Sequence, residues 1–360
     1  MKKKLFYLLA LLPVLTLFAA CGGDDGDEDV AGPVIVKEDG TTSDGSTFSA
    51  IDDKNFYLDY IKYSVEEGHL VVSGYNNAGI KGAAKIVSGI TYKGNTYEVR
   101  SISRNAFKDC TNMASITIPE SVTSIGDGAF YGCICLMSVT IPNFVNSIGD
   151  DTFSGCKGLT SVTIGNSVSS IGDGAFSGCT DLTGIIIPNS VTSIGGDAFR
   201  GCTSMTSIKV DAENTKYDSR NNCNAIIETA SNTLIIGCEN TTIPNSVANI
   251  RAYAFYGCTG LTSVNIPNSV TIIGQSAFSY CSGLMSVTIG NSVTSIGVWA
   301  FDGCTSLSEV TCKAKTPPSM YFSNINPDTK LYVPIGSGSA YKSSKWGEYF
   351  KQENIIEKEM

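Results

Sequence analysis

Hydrophobic residues recur along the middle of this chain with a period of 23 residues. Within one period they occupy positions 3, 6, 8, 12, 15 and 20, and polar residues or glycine fill most of the other positions, as in the copy at 157–179. The Leu-x-x-Val-x-Ile pattern at positions 3 to 8 predicts a short strand. Proline or glycine at position 9 ends that strand, and glycine at position 16 makes the next corner in most copies.

A fixed period of this size predicts a solenoid, because one unit can bury its apolar face only against its neighbours. The fold class predicted is a β-rich α/β solenoid of leucine-rich repeats. Its strands stack in parallel about 4.8 Å apart, and short helical turns carry Phe at position 20. Asp127, Asp150 and Asp173, at position 17, are expected to cap those turns. Full copies cover 111–133, 134–156, 157–179, 180–202, 236–258, 259–281 and 282–304, and partial copies cover 97–110 and 305–314.

The solenoid is predicted to be interrupted once and capped at both ends. Strand-like segments on either side of Ser231 predict a β-hairpin insert at about 211–238. The domain organisation predicted is a signal peptide at 1–20, a disordered acidic tether at 21–53, an N-terminal β cap at 54–96, the solenoid at 97–314 and a C-terminal cap at 315–360.

The first twenty residues have the order of a secretion signal. Three lysines at 2–4 precede an apolar stretch at 5–18, and two alanines precede Cys21. This order resembles a bacterial lipoprotein signal, in which the cysteine becomes the lipidated N-terminus. The resemblance implies a lipid on Cys21 and a membrane anchor without a transmembrane helix. The acidic run at 24–29 resembles the surface-export signal of lipoproteins in some Gram-negative anaerobes, so the predicted location is the outer membrane, facing the exterior.

Charge and cysteine content narrow the possible functions. The net charge of −9 argues against nucleic acid as a partner, since nucleic-acid binding requires basic patches. Thirteen cysteines suggest disulfides in a secreted chain. However, position 23 is Cys in every full copy, so stacking predicts a column of buried, reduced thiols. Whether Cys223 and Cys238, which flank the hairpin turn, form a bridge stays open.

The sequence offers little for catalysis. His69 is the only histidine, so Ser-His-Asp and Cys-His chemistry would both depend on a residue beside a turn of the N-terminal cap. No paired Cys-x-x-Cys ligands or phosphate-binding glycine loop stands out from the repeat. The prediction is a protein that is not an enzyme and that uses no cofactor or metal.

The repeat unit resembles the BspA-like leucine-rich repeat, with its Leu-x-x-Val-x-Ile-Pro-x-Ser-Val-x-x-Ile-Gly-x-x-Ala-Phe-x-x-Cys pattern. The resemblance covers about 55–350, including a hairpin within the solenoid and a tail with Tyr341, Trp346 and Phe350 that is similar to the family's C-terminal cap. It implies cell-surface adhesion to a host matrix protein or to another microbial cell. Two alternatives stay open: a surface lipoprotein that binds glycans, and a hydrolase with its site in the caps or the insert.

The candidate binding surface lies on the turn side of the C-terminal half. Position 18 is glycine or aspartate in the first four copies, but becomes Tyr253 and Trp299 later, about 10 Å apart along the stack. Tyr256 and Tyr280, at positions 21 and 22, belong to the same corner. Clustered exposed aromatic rings commonly mark recognition surfaces. The alternative is that these rings pack on the insert or on the C-terminal cap.

Overall fold

The computed structural model describes residues 32–76, 79–320 and 325–360. Residues Pro33–Met360 form one unit. Each repeat makes one coil of a solenoid with two parallel strand ladders, which confirms the predicted fold class. The predicted signal segment and Cys21 lie outside the described residues.

The N-terminal cap is built from mainly antiparallel strands. Its hairpin turns at Glu67 and Gly68, which both have positive φ, next to His69, where the sequence analysis placed a turn. The last strand of the cap pairs in parallel with the first coil and so starts one ladder of the solenoid. The strands are β1 (Val34–Ile35), β2 (Phe48–Ala50), β3 (Asn55–Leu58), β4 (Ile61–Glu66), β5 (His69–Tyr75), β6 (Gly82–Lys85), β7 (Gly89–Tyr92) and β8 (Asn95–Ile102).

The predicted disordered tether is wrong for residues 33–53, because β1 and β2 lie within it. Val34 is buried and β1 pairs in parallel with β7. Phe48 packs against Phe56 with 5.3 Å between ring centroids. The acidic residues of this segment make local turns: the Asp39 carboxylate accepts the Thr41 N–H at 2.9 Å, and that of Asp44 accepts the Ser46 N–H at 3.0 Å.

Two ladders run along the coils before the insert. Strands at positions 5 to 7 form one ladder, and two-residue strands at positions 14 and 15 form the other. Both are parallel and in register, so that Val139 lies beside Val162 and Ile148 beside Ile171. The strands are β9 (Met113–Thr117), β10 (Ser124–Ile125), β11 (Ser138–Thr140), β12 (Ser147–Ile148), β13 (Ser161–Thr163), β14 (Ser170–Ile171), β15 (Gly184–Ile187), β16 (Ser193–Ile194) and β17 (Ser207–Val210).

Stacked phenylalanines and cysteines fill the core between the ladders. Consecutive position-20 rings lie parallel, and the Phe153 and Phe176 centroids are 5.4 Å apart. The position-23 thiols are buried and unpaired. In six of the seven full coils the thiol donates to a phenylalanine carbonyl of the preceding coil, as Cys179 does to Phe153 at 3.2 Å. In the first coil after the insert, Cys258 donates instead to the Gly237 carbonyl at 3.8 Å. The column therefore satisfies backbone carbonyls as well as filling space.

The segment predicted as a short helical turn is a series of single hydrogen-bonded turns. Position 22 has positive φ in every full coil, and position 18 has it in every full coil but the one at 180–202, as at Gly174 and Gly178, which prevents continuation into a helix. The predicted capping role of Asp127, Asp150 and Asp173 is also wrong. Their carboxylates accept backbone N–H groups of the following coil, as Asp150 does from Asp173 at 2.8 Å.

The insert replaces the strand ladders with an antiparallel hairpin, as predicted, and coils resume after it. Cys223 and Cys238 are both buried and unbridged. The Cys238 thiol accepts the Asn224 side-chain amide at 3.2 Å. The elements are β18 (Tyr217–Asp218), a 3₁₀ turn (Arg220–Asn222), β19 (Ala225–Glu228), β20 (Thr233–Gly237), β21 (Asn249–Ile250), β22 (Ser263–Ile266), β23 (Ile272–Ile273), β24 (Ser286–Ile289), β25 (Ser295–Ile296) and β26 (Glu309–Cys312).

The C-terminal cap closes the last coil with aromatic side chains. Tyr341 donates to the Ala314 carbonyl at 2.7 Å, and Trp346 donates through Nε1 to the Pro318 carbonyl at 2.9 Å. Within the described ranges, no helix has the length and apolar character needed to cross a bilayer. The elements are β27 (Ser319–Met320), β28 (Lys330–Pro334), α1 (Gly338–Lys342), α2 (Trp346–Tyr349), a 3₁₀ turn (Gln352–Asn354) and β29 (Ile355–Lys358).

Candidate functional site

Three of the four predicted aromatic residues contact one another on the turn side of the solenoid. Tyr256 lies between Tyr253 and Tyr280, with ring centroids 5.9 Å and 5.3 Å away, and both contacts are edge-to-face. Trp299, one coil further on, makes no ring contact with any residue that the structure describes. We call these four residues the aromatic patch.

The two ends of the patch differ in exposure. Tyr253 and Tyr256 are half-buried, whereas Tyr280 and Trp299 keep 53% and 49% of their surface exposed. The Tyr280 ring lies against Gly303, which belongs to the same coil as Trp299. Tyr280 and Trp299 are therefore the rings that a partner could contact most fully.

Three of these aromatic residues hold backbone conformations that suit glycine, asparagine or aspartate. Tyr253, Tyr280 and Trp299 have φ of 61°, 60° and 60°. The left-handed region costs an ordinary L-residue roughly 1–2 kcal/mol, and a bulky residue there is an outlier. Equivalent left-handed positions in the coils before the insert are filled by small or amide and acid residues: Asn105, Asp109, Gly128, Gly132, Asp151, Gly155, Gly174, Gly178 and Gly201.

Arg200 contacts the aromatic patch and extends the candidate site, although the sequence analysis did not identify it. Its guanidinium lies over the rings of Tyr253 and Tyr256, 4.7 Å and 4.5 Å from their centroids, and 3.5 Å from the Asp197 carboxylate. Arg200 and Tyr256 both occupy position 21, but 56 residues separate them. The structure brings them together because the coils on either side of the insert meet at their turns.

These contacts bear on the alternative that the aromatic rings pack on the insert or on the C-terminal cap. Tyr253 and Tyr256 pack on the coil at 180–202 rather than on the insert or the C-terminal cap. These two tyrosines therefore help to stabilise the fold, because a guanidinium stacked on an aromatic face contributes roughly 0.5–2 kcal/mol to stability. Binding by any of the four residues stays a prediction.

The one histidine does not belong to a cluster of catalytic groups. His69 begins β5 and lies opposite Glu66 across the hairpin of the N-terminal cap. Around it, the described residues include no serine or cysteine that hydrogen-bonds to its ring. This arrangement gives the hydrolase alternative no support at the one residue on which it would most depend.

Comparison with known proteins assigns the repeat. The model of the BspA type leucine-rich repeat region matches residues 100–227 and 233–336 in six copies, which is more than half of the chain. The chain belongs to the BspA-type leucine-rich repeat family. The family resemblance predicted from the repeat is therefore confirmed. The two matched segments of this BspA-type chain are separated near the hairpin insert. No curated protein matches the chain.

Solved bacterial structures share the fold of this BspA-type protein. A leucine-rich repeat protein from Bacteroides ovatus is 28% identical, with a TM-score of 0.56 over 84% of this chain and 81% of that one. One from Eubacterium ventriosum is 24% identical, with a TM-score of 0.53 over 81% and 78%. The pneumococcal vaccine antigen PcpA is 19% identical, with a TM-score of 0.52 over 85% and 99%. The last two are similar in fold alone.

Proposed function

We propose that this chain is a lipid-anchored cell-surface protein that binds a host matrix protein, or a protein on another microbial cell, through its aromatic patch. The observation that carries the proposal is the placement of Tyr253, Tyr280 and Trp299 in left-handed conformations. Stability alone favours glycine, asparagine or aspartate at such positions, so the aromatic residues there are best explained by a binding role.

The composition of the patch suits a protein partner. Tyrosine, tryptophan and arginine dominate the residues that contribute most to protein–protein affinity, and Arg200 supplies the arginine. The three tyrosine rings are held by their contacts with one another and with Arg200, so binding would immobilise few free side chains. A stiff solenoid also keeps the patch in a fixed shape.

The membrane anchor and the location rest on the sequence signal before Cys21. We propose that Cys21 carries the lipid and that the solenoid is displayed outside the outer membrane. Both matter for adhesion, because a binding surface must be tethered to the cell and face the partner.

The proposal is tested with a double variant, Tyr280→Asn with Trp299→Asn. Asparagine tolerates the left-handed backbone, so the fold should be retained while the two most exposed rings are lost. Loss of these two exposed rings should weaken partner binding at least tenfold, since an aromatic residue that dominates an interface commonly contributes more than about 1 kcal/mol.

The matched control is Tyr60→Asn with Phe144→Asn, which removes two rings of similar exposure, 49% and 62%, elsewhere on the surface. Biotinylated wild type and both variants are incubated with extracellular-matrix extract, and captured proteins are quantified by mass spectrometry. Proteins lost with the patch variant and retained with the control support the proposal. Equal capture by all three would refute it, and release by soluble glycans would favour the glycan-binding alternative.

A further inference from the structure

The insert interrupts the ladder formed by positions 14 and 15 and leaves a cleft there. Strand β16 ends the first part of this ladder, and the second part begins with β18 of the insert. Between them is a cleft of about 480 Å³, whose polar lining includes Thr192, Ser193, Lys216, Tyr217, Glu228 and Arg251. No residue of the aromatic patch lines it. We call it the insert cleft.

Arg251 stands where every other full copy has glycine. It occupies position 16, and a Cβ atom on the equivalent glycines would lie 2.4–2.5 Å from an atom of position 17 in the preceding coil. At such a distance even a methyl group would force the neighbouring coil to move. The insert removes the preceding coil from this place, so only here can position 16 carry a side chain without such a movement. The six glycines are Gly126, Gly149, Gly172, Gly195, Gly274 and Gly297.

Most N–H donors of the Arg251 guanidinium make no hydrogen bond with the described residues. Its Nη1 donates to the Ile194 carbonyl at 3.4 Å. No carboxylate of the described residues lies within ion-pair distance of it. The carboxylate in the cleft, Glu228, already pairs with Lys216 at 2.8 Å. A guanidinium has five N–H donors in a planar fork that matches a carboxylate, and most of these remain available at Arg251.

Other groups of the cleft suit a polyhydroxylated ligand. The Tyr217 hydroxyl accepts the Ile194 N–H at 3.1 Å, and among the described residues nothing accepts its own proton. Thr192, Ser193 and Thr233 also line the cleft. The Thr192 hydroxyl donates to the Ser169 carbonyl at 3.2 Å and can still accept, and the Thr233 hydroxyl accepts from Ser231 at 2.8 Å and can still donate. Lys216, Glu228 and Arg251 give the lining one net positive charge in a chain whose net charge is −9.

We propose that the insert cleft binds a carboxylate-bearing saccharide, such as a hexuronate unit of an acidic glycan. The Arg251 guanidinium pairs with the sugar carboxylate, and Tyr217 donates its hydroxyl proton to the ligand. The threonine and serine hydroxyls meet the sugar hydroxyls. This site is independent of the binding role proposed for the aromatic patch.

The first test compares two probes on the wild-type mature chain by isothermal titration calorimetry and saturation-transfer NMR. D-glucuronate should bind at least tenfold more tightly than its methyl ester, which has the same shape without the charge. Glucuronate should also protect Arg251 from phenylglyoxal, as read by peptide mapping. Equal binding of acid and ester, no binding of either, or no protection of Arg251 would overturn the proposal.

The second test uses Arg251→Met, which keeps an unbranched side chain without the guanidinium. It should lose the preference for acid over ester. The control, Arg100→Met, removes an exposed arginine paired with Glu98 at 3.0 Å in β8 and should bind as wild type does. Retained preference in Arg251→Met would refute the site. N-acetylglutamate amide is titrated as well, and tighter binding of this probe than of glucuronate would show that the cleft recognises peptides instead. If Arg251→Met fails to fold, the comparison of acid with ester on the wild-type chain and the protection of Arg251 from phenylglyoxal still test the proposal.

Discussion

Two neighbouring glycines, Gly195 and Gly196, allow a direct test of how closely the coils pack. Gly195 occupies position 16. A Cβ atom there would lie 2.5 Å from the Asp173 backbone nitrogen and 2.6 Å from the Gly172 carbonyl carbon. At Gly196, the nearest atom would be the Asp173 Oδ1 at 3.6 Å, an ordinary contact. Neither glycine has a positive φ, so backbone strain does not distinguish the two.

The expected cost of Gly195→Ala follows from these distances. An ordinary contact begins near 3.4 Å, so the two coils would have to separate by about 0.9 Å. The coils are held by in-register strand ladders with a spacing of about 4.8 Å. Two of the three obstructing atoms belong to the backbone, and the third is the Asp173 Oδ1, which accepts the Gly196 N–H. Overpacking typically costs 1–3 kcal/mol, and we expect Gly195→Ala to fall at the upper end, about 3 kcal/mol.

Gly196→Ala is the matched control, and its stability should stay within about 0.5 kcal/mol of wild type. Both variants are unfolded in urea and followed by circular dichroism, with hydrogen exchange of the Gly195 amide as a local probe, since a solenoid can unfold in parts. This amide donates to the Ile171 carbonyl at 2.9 Å. Equal stability of the two variants would refute the close packing at position 16, and with it the reason given for the exceptional Arg251.

Three further predictions test the core and the anchor. Phe176→Ala should destabilise the protein by about 3–5 kcal/mol in urea melts, because the ring is fully buried between two others; a loss below about 1 kcal/mol would contradict its interior position. Burial raises the pKa of the Cys202 thiol from 9.0 to about 12. The stability contributed by this neutral thiol is therefore present below pH 9 and is lost as pH rises toward 12. Melting curves across this range should show the decline, and the Cys202→Ser variant should show a smaller one. Cys21→Ala should release the protein from membranes, and a wild-type mass without lipid would contradict the assigned anchor.

The repeat allowed most of the fold to be predicted from the sequence. A 23-residue period places the same position of every copy in one column, so the positions of Phe176 and Cys179 follow from the period itself. The turn beside His69 and the hairpin insert at about 211–238 were also predicted, from residue patterns in those segments. The structure confirms these elements.

Other features depend on contacts that a repeat pattern does not encode. Glycine and acidic residues at 33–53 read as a disordered composition, but the carboxylates of Asp39 and Asp44 close turns on their own backbone. The carboxylate of Asp150 bonds to the next coil rather than to its own turn, because stacking brings the next N–H within 2.8 Å. The sequence of one repeat does not show whether such a carboxylate bonds to its own turn or to the next coil.

The candidate sites were harder to predict because both depend on how the coils on either side of the insert approach each other. Arg200 contacts Tyr256 across 56 residues of sequence, and only the folded chain shows that the coils on either side of the insert meet. Arg251 is visible in the sequence as an exception at position 16. Why an arginine can stand there is clear only from the structure, in which a Cβ atom on each equivalent glycine would lie too close to the preceding coil.

The central claim is that the exposed rings of the aromatic patch bind a protein partner. The most direct measurement is the affinity of the most enriched matrix protein, purified, for the immobilised mature chain and for its Tyr280→Asn with Trp299→Asn variant. We expect an affinity at least tenfold weaker for the patch variant and an unchanged affinity for Tyr60→Asn with Phe144→Asn, with the patch variant melting no lower than wild type. An unchanged affinity of the patch variant would contradict the claim.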